Sequence, residues 1–231
     1  RPAPGTAGGP VQHVPGLGVQ ILSSKRGAMW VATLGQGLWR VRDPERPDAI
    51  DVLDADQGML NEVVRCLLED REENIWIGTD YGLYRLSRNK LIPLQRLGVV
   101  RVVQADAEGV WVGTSTGLIR FEGAERRTYT RELPSPFVSA LQLDARGALW
   151  IATDVGVVVR RGGTFHHVPI PGVEQLNRIY SMAVDDDGGL WLADFNRGLF
   201  RASSAGIEPV DLPALDHRAV LSVHPDREHR L

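Results

Sequence analysis

Short apolar runs alternate with clusters of Gly, Pro, Asp and Ser along most of the chain, and no segment repeats its hydrophobic residues at helical spacing. The runs favour Val, Ile, Leu and aromatic residues and are bounded by turn residues, which predicts strands. Five of them align with one another: MWVATLGQGLWR at 29–40, IWIGTDYGLYR at 75–85, VWVGTSTGLIR at 110–120, LWIATDVGVVV at 149–159 and LWLADFNRGLFR at 190–201. Their Trp residues, Trp30, Trp76, Trp111, Trp150 and Trp191, lie 46, 35, 39 and 41 residues apart. A period of about 40 residues without helices leaves room for four short strands per repeat.

Each repeat reads the same way. An apolar strand ends in an acidic residue: VVRCLLED at Asp70, VVRVVQAD at Asp106, FVSALQLD at Asp144 and IYSMAVD at Asp185. Asp caps its own turn by accepting backbone N–H bonds, and Gly147 and Gly188 supply positive φ in two copies. The Trp strand follows, always with Ala or Gly two residues after the Trp (Ala32, Gly78, Gly113, Ala152, Ala193). A residue that small lets neighbouring groups approach closely. A hairpin closed by Gly37, Gly82, Gly117, Gly156 or Gly198 leads to a third strand, and weaker fourth strands are expected at 48–53, 91–96, 126–131, 164–169 and 207–212.

A four-stranded sheet with two apolar faces is not stable alone. Stacking such sheets radially buries both faces, so the predicted fold is all-β: a β-propeller of four-stranded antiparallel blades, with five near-complete repeats over 18–231. The Trp residues are then inter-blade core. Residues 1–17 form a separate Pro/Gly-rich segment.

Composition narrows the chemistry. The chain has 231 residues and a formal charge of −3, with 24 Arg and only Lys25 and Lys90 as lysines. No basic run exceeds two residues, so no nucleic-acid footprint is present. Cys66 is the only cysteine, which excludes an intramolecular disulfide and a Cys-based metal site. No apolar run approaches the ~20 residues of a membrane span, so direct membrane insertion of this segment is not expected. No signal peptide is visible.

The pattern D-x-x-G-x-L-W-I-G-T-x-x-G-L-x-R resembles the two-component regulator propeller repeat. The resemblance covers roughly 18–231 and implies a sensory module of a bacterial signalling protein. Such a module lies in the periplasm or elsewhere outside the cytoplasm and passes a signal to a fused output domain. It also implies a possible homodimer formed through the parent protein. Departures are Ser24 in place of the first acidic residue, the tighter turn before Trp111, and Ala193-Asp194 in place of Gly-Thr. AVLSVHPDREHRL at 219–231 aligns with VVRCLLEDREENI at 63–75, as a sixth repeat just begun. Two arrangements follow: a piece of a seven-bladed or larger propeller, which the resemblance favours, or a closed five-bladed ring in which 219–225 completes the first blade.

Propellers bind ligands at the channel mouth. If the strand before each acidic turn is innermost, the residues five before the acidic one form a column: Arg65, Arg101, Ser139, Tyr180 and Leu221. It varies in size and polarity while its neighbours stay apolar. The loops leading into these strands add Asn61, Arg96, Asn177, Arg178, His217 and Arg218. The candidate ligand-binding residues are thus Arg65, Arg101, Ser139, Tyr180, Asn61, Asn177 and Arg178, suited to an anionic or saccharide signal. No carboxylate or His pair converges on the column, which argues against a propeller lyase or glycosidase. A pure interaction scaffold is the third reading. No cofactor or metal site is expected: Asp185–Asp187 falls in an acidic turn, and His166 and His167 should point to opposite faces of one strand. The recurring Arg40, Arg85, Arg120 and Arg201 read as a blade-surface feature.

Overall fold

The computed structural model describes residues 18–43, 46, 50–88, 90–169, 179–185, 189–203, 206–211 and 220–224. Among these, twenty strands form five antiparallel meanders of four. Blade 1 contains β1 (Gly18–Ser23), β2 (Met29–Thr33), β3 (Leu38–Val41) and β4 (Ile50–Leu53). Blade 2 contains β5 (Val64–Glu69), β6 (Ile75–Thr79), β7 (Leu83–Ser87) and β8 (Lys90–Gln95). Blade 3 contains β9 (Val100–Ala105), β10 (Val110–Thr114), β11 (Leu118–Glu122) and β12 (Glu125–Tyr129). Blade 4 contains β13 (Val138–Leu143), β14 (Leu149–Thr153), β15 (Gly156–Arg161) and β16 (Thr164–Val168). Blade 5 contains β17 (Ile179–Val184), β18 (Leu190–Asp194), β19 (Gly198–Ser203) and β20 (Gly206–Pro209). The only helical element among the described residues is a 3₁₀ turn at Ala55–Gln57.

The first strands of consecutive blades pack on one another, β1 on β5, β5 on β9, β9 on β13 and β13 on β17, so they are the innermost strands. Apolar clusters fill each space between blades. Trp111, Leu118, Val138, Leu141 and Ile151 join blades 3 and 4, and Trp150, Ala152, Ile179, Met182 and Phe200 join blades 4 and 5. Trp111 is 1% exposed, and Trp30, Trp76 and Trp150 are also buried. Where the sequence has Gly113, a Cβ would stand 2.6 Å from methyl carbons of both Val102 and Val138. The Trp strand of blade 3 therefore packs directly on the inner strand of blade 4.

The acidic turns do more than cap themselves. One carboxylate oxygen accepts the turn amides, while the other accepts the indole N–H of the same blade's Trp: Asp70–Trp76 at 2.7 Å, Asp106–Trp111 at 2.9 Å, Asp144–Trp150 at 3.0 Å and Asp185–Trp191 at 2.8 Å. The tighter turn before Trp111 keeps the bond despite its missing residue. Blade 1 has Ser24 and no carboxylate here, and the Arg40 guanidinium lies 5.3 Å from the centre of the Trp30 ring. Arg120 and Arg201 stack on Trp111 and Trp191 and also pair with Asp106 and Asp185. Arg85 stacks on Trp76. The recurrent arginines were expected as a blade-surface feature, but they take part in a blade lock: Arg120, 3% exposed, is drawn into the core by Asp106 and the Trp111 ring, and only Arg201 stays largely at the surface. In blade 2 the turn residue is Glu73, with φ 62°, where blade 4 has Gly147 at φ 77°.

The second turn is held by the Thr after the small residue. Thr33, Thr79, Thr114 and Thr153 are fully buried and donate to the carbonyls of Gly37, Gly82, Gly117 and Gly156 at 2.7–3.0 Å. Asp194 serves in blade 5 by accepting from the amides of Asn196 and Arg197.

The blades form an open arc rather than a closed ring. The closed five-bladed alternative does not hold, because β1 itself fills the inner place of blade 1, paired with β2 from Gly18↔Thr33 to Ser23↔Met29. Residues 220–224 lie instead against β17. The Val223 amide donates to Ser181 Oγ at 3.2 Å, and Ser181 Oγ donates to the Val223 carbonyl at 3.4 Å. Gln20 makes the same pair of bonds to the main chain of Leu67. Segment 220–224 thus sits on blade 5 as β5 sits on blade 1. The Pro/Gly-rich segment 1–17, and residues 219 and 225–231, lie outside the described residues.

Two outcomes follow from the lock. Trp111→Ala is expected to lower the unfolding free energy by about 3–5 kcal/mol in urea titration, through lost burial and a cavity; a cost under ~1 kcal/mol would place the ring outside the core. The second concerns acid. Burial works against the charge of Asp106, but the Arg120 guanidinium, the Glu108 amide and the Trp111 indole hold its carboxyl at about 2, below the ordinary 3.8. A carboxyl lowered on folding contributes stability that is complete above the unfolded pKa and is lost as pH falls through the folded one. That contribution, on the order of 2 kcal/mol, should disappear between about pH 4 and pH 2. Asp106→Asn should flatten this part of the stability profile, and an unchanged profile would contradict the assignment.

Candidate functional site

The column expected from the sequence coincides with a backbone irregularity that occurs in all five inner strands. Each carries one extra residue between two ladder pairs: Val19 in β1, Arg65 in β5, Arg101 in β9, Ser139 in β13 and Tyr180 in β17. A bulge of this kind re-aims the extra side chain and kinks the strand. Because these strands are innermost, the column is delivered to one mouth of the central space. Val19 and Tyr180 are both 47% exposed, Leu221 is 62% exposed, and Arg65, Arg101 and Ser139 are half-buried.

The bulges lie opposite the ends of the Trp strands, so the hairpins that follow those strands reach the same mouth. In blade 2 this brings Asp80 to Arg65. The two form a bidentate pair, Nη2 to Oδ2 at 3.0 Å and a closer Nε to Oδ1 contact. The bond to Asp80 raises the pKa of Arg65 against the opposing effect of burial. Arg65 is therefore a paired cation whose partner comes from outside the column.

Arg101 differs. Its guanidinium lies 4.1 Å from the centre of the Phe137 ring, which arrives in the loop before β13. Its Nε is buried and meets no acceptor. Burial, and then the positive charge of Arg65, lower its pKa from the ordinary value, while Asp80 and Tyr180 act the other way. Among the described residues it makes no hydrogen bond or ion pair. Ser139 Oγ donates to the Ala152 carbonyl at 3.4 Å. Tyr180 stands edge-on to Phe195, with ring centres 5.8 Å apart. The Asp154 carboxylate, at the hairpin position equivalent to Asp80, has a buried Oδ1 without a partner.

Arg65, Arg101, Ser139 and Tyr180 thus share one level of the mouth. Asn61 Oδ1 accepts the Val63 amide at 3.1 Å in the loop leading into β5. Arg96 lies over Tyr81, at 4.8 Å. Asn177, Arg178, His217 and Arg218 lie outside the described residues. Sequence reasoning missed Val19, although it stands five residues before Ser24 as the column requires. It also missed Asp80, Phe137 and Phe195, which reach the mouth through strand register.

The other candidates have structural roles or stay apart. Cys66 is buried in β5, where burial pushes its thiol to about 12, so it is an unreactive thiol at neutral pH. His166 and His167 are neighbours on β16, paired across to Val159 and Val158. Asp185 is committed to Gly189, Trp191 and Arg201. Among the described residues no group of three or more His, Cys, Asp or Glu converges as metal ligands.

Three segments, 58–81, 132–155 and 174–196, match the family described as two component regulator propeller. These three segments are two-component regulator propeller repeats. Each matched segment covers an inner strand with its bulge, the acidic turn and the Trp strand. Among solved structures, the extracellular domain of BT4673 from B. thetaiotaomicron, described as a one-component or hybrid two-component system, superposes with a TM-score of 0.64 at 15% identity. The match covers 93% of this chain and 36% of that one. PorZ, a surface component of the type-IX secretion system of Porphyromonas gingivalis, gives 0.66 at 14% identity over 90% of this chain and 36% of its own. Virginiamycin B lyase from Staphylococcus aureus gives 0.68 at 15% over 84% and 69%. The chain spans about a third of the length of the first two. At these identities the likeness is one of fold. No curated protein matches the sequence.

The Arg65–Asp80 pair is testable by a double-mutant cycle. Arg65→Ala and Asp80→Ala should couple by about 1 kcal/mol in unfolding free energy, as expected for a partly exposed bidentate pair. Coupling near zero would release Arg65 as an open ligand site.

Proposed function

We propose that the chain is the sensory part of a bacterial signalling protein, a propeller that binds an anionic small molecule outside the cytoplasm and passes the signal to a fused output domain. The regulator propeller repeats support the signalling role, and the extracellular origin of the BT4673 domain supports the location. No helix among the described residues is long and apolar enough to cross a membrane.

The observation that carries the binding site is Arg101. A guanidinium resting on an aromatic ring, half-buried and without a carboxylate, keeps its charge and its donors for a partner from solution. Five bulges bring variable side chains to the same mouth, while the residues around them are spent on blade packing. Binding is favoured over catalysis here because no two carboxylates or histidines among the described residues are paired at the column: Asp80 is neutralised by Arg65, and Asp154 stands alone at the equivalent hairpin position of blade 4.

A thermal-shift screen of organic acids, sugars and nucleotides should find anions that raise the melting temperature, since a ligand selective for the native state stabilises it. Arg101→Ala should keep the fold and lose that shift. Stabilisation of Arg101→Ala by the same anions to the same extent would defeat the channel-mouth site.

A further inference from the structure

The spaces between consecutive blades are not filled alike toward their outer strands. Between blades 3 and 4 three rings lie in a row: Trp111 is 5.7 Å from Tyr129, and Tyr129 is 5.2 Å from Phe165, centre to centre. Tyr129 stands opposite Leu118 in the β11–β12 ladder, and Phe165 stands opposite Arg160 in the β15–β16 ladder. In blades 1 and 2 the same ladder positions hold Leu53, opposite Leu38, and Leu91, opposite Leu86. Trp30 takes the place of Trp111. The row is therefore Trp–Leu–Leu where blades 3 and 4 have Trp–Tyr–Phe.

Two smaller side chains leave space. A cavity of about 470 Å³ opens between blades 1 and 2, and Trp30, Leu53, Leu86 and Leu91 form its apolar wall. Leu53 and Leu91 are half-buried, and Val52, which also lines the cavity, is 36% exposed. The volume falls within the roughly 300–1,000 Å³ of small-molecule sites. A ring placed here would remove this apolar surface from water and gain an aromatic neighbour in Trp30. The polar side is made by Arg40, Arg42, Asp51 and Gln57. Arg42 Nε lies 3.1 Å from the Asp51 carboxylate, and the Arg40 guanidinium rests on the Trp30 ring. Gln57 Oε1 accepts the Asp54 amide. With Arg42 and Asp51 offsetting one another, selection falls to the apolar wall.

We propose that this cavity binds a flat, uncharged aromatic molecule of two rings, in the place that the Tyr129 and Phe165 rings take between blades 3 and 4. The site is separate from the channel mouth and does not rest on that reading.

Titration with 2-naphthol, and with its saturated counterpart decahydro-2-naphthol, tests the proposal through the Trp indole N–H signals of the nitrogen-15-labelled chain. 2-Naphthol should shift the Trp30 signal and leave that of Trp150, buried between blades 4 and 5, in place. It should bind about fivefold more tightly than the saturated compound. Leu53→Tyr combined with Leu91→Phe rebuilds the row of rings, and should raise the melting temperature by about 2–4 °C and abolish the Trp30 shift. If that pair overpacks and lowers the melting temperature, Leu91→Phe alone should still weaken 2-naphthol about tenfold. Arg101→Ala should bind 2-naphthol as the parent does. A Trp30 signal unmoved by millimolar 2-naphthol, or moved as readily in the refilled variants, would overturn the proposal. Equal binding of the two compounds would overturn the aromatic assignment. Loss of binding in Arg101→Ala would transfer the ligand to the channel mouth and overturn this site while leaving that one standing.

Discussion

The bond from each Trp indole to the carboxylate of its acidic turn is the interaction on which the blades depend. A Trp at a sheet interface carries one polar N–H, and leaving it unpaired in the core would cost stability. Here the acceptor comes from the turn joining the inner strand to the Trp strand, so one side chain fixes both the turn and the ring. In blades 3 and 5 an arginine two strands away closes the same carboxylate from the far side. The ring is then held at one angle, and the next blade can pack against it without a gap. Blade 1 has Ser24 in place of the acid, and its Trp30 is held instead by the apolar cluster between blades 1 and 2 and by the Arg40 guanidinium beside the ring.

With the blades so fixed, their inner strands lie side by side and the single-residue bulges fall at one level. This links a rigid scaffold to a variable site. The bulged residue is released from the alternation that commits its neighbours to one blade face or the other, so Arg, Ser, Tyr or Val is tolerated there. The Thr-closed hairpins lie at the same end and add a second ring of side chains, including Asp80, whose pairing with Arg65 removes one of the two charges otherwise available.

Most of the architecture was legible in the sequence because the signals are local. Strand alternation, the Trp strands, the small residue two after each Trp and the Gly-closed hairpins all lie within about a dozen residues of one another, and the ends of the fourth strands were found to within about three residues. What escaped depends on register. The indole acceptor was read only as a turn cap, because the Asp and Trp sit five or six residues apart and meet only when the hairpin folds. The partner of Arg65 lies 15 residues away on another loop. The bulge cannot be seen in an alternating pattern, although the variability of the column was its trace. The closed five-bladed ring was allowed by the alignment of the last residues with 63–75 but excluded by the pairing of β1 with β2.

The central claim is that the bulge column forms an anion site at the channel mouth, with Arg101 as its anchor. The most direct measurement is the crystal structure of the chain soaked in bromide, located by its anomalous signal. The account predicts a bromide peak at the channel mouth against the Arg101 guanidinium. Bromide peaks only elsewhere on the molecule, or an Arg101 side chain closed onto a protein carboxylate, would contradict it.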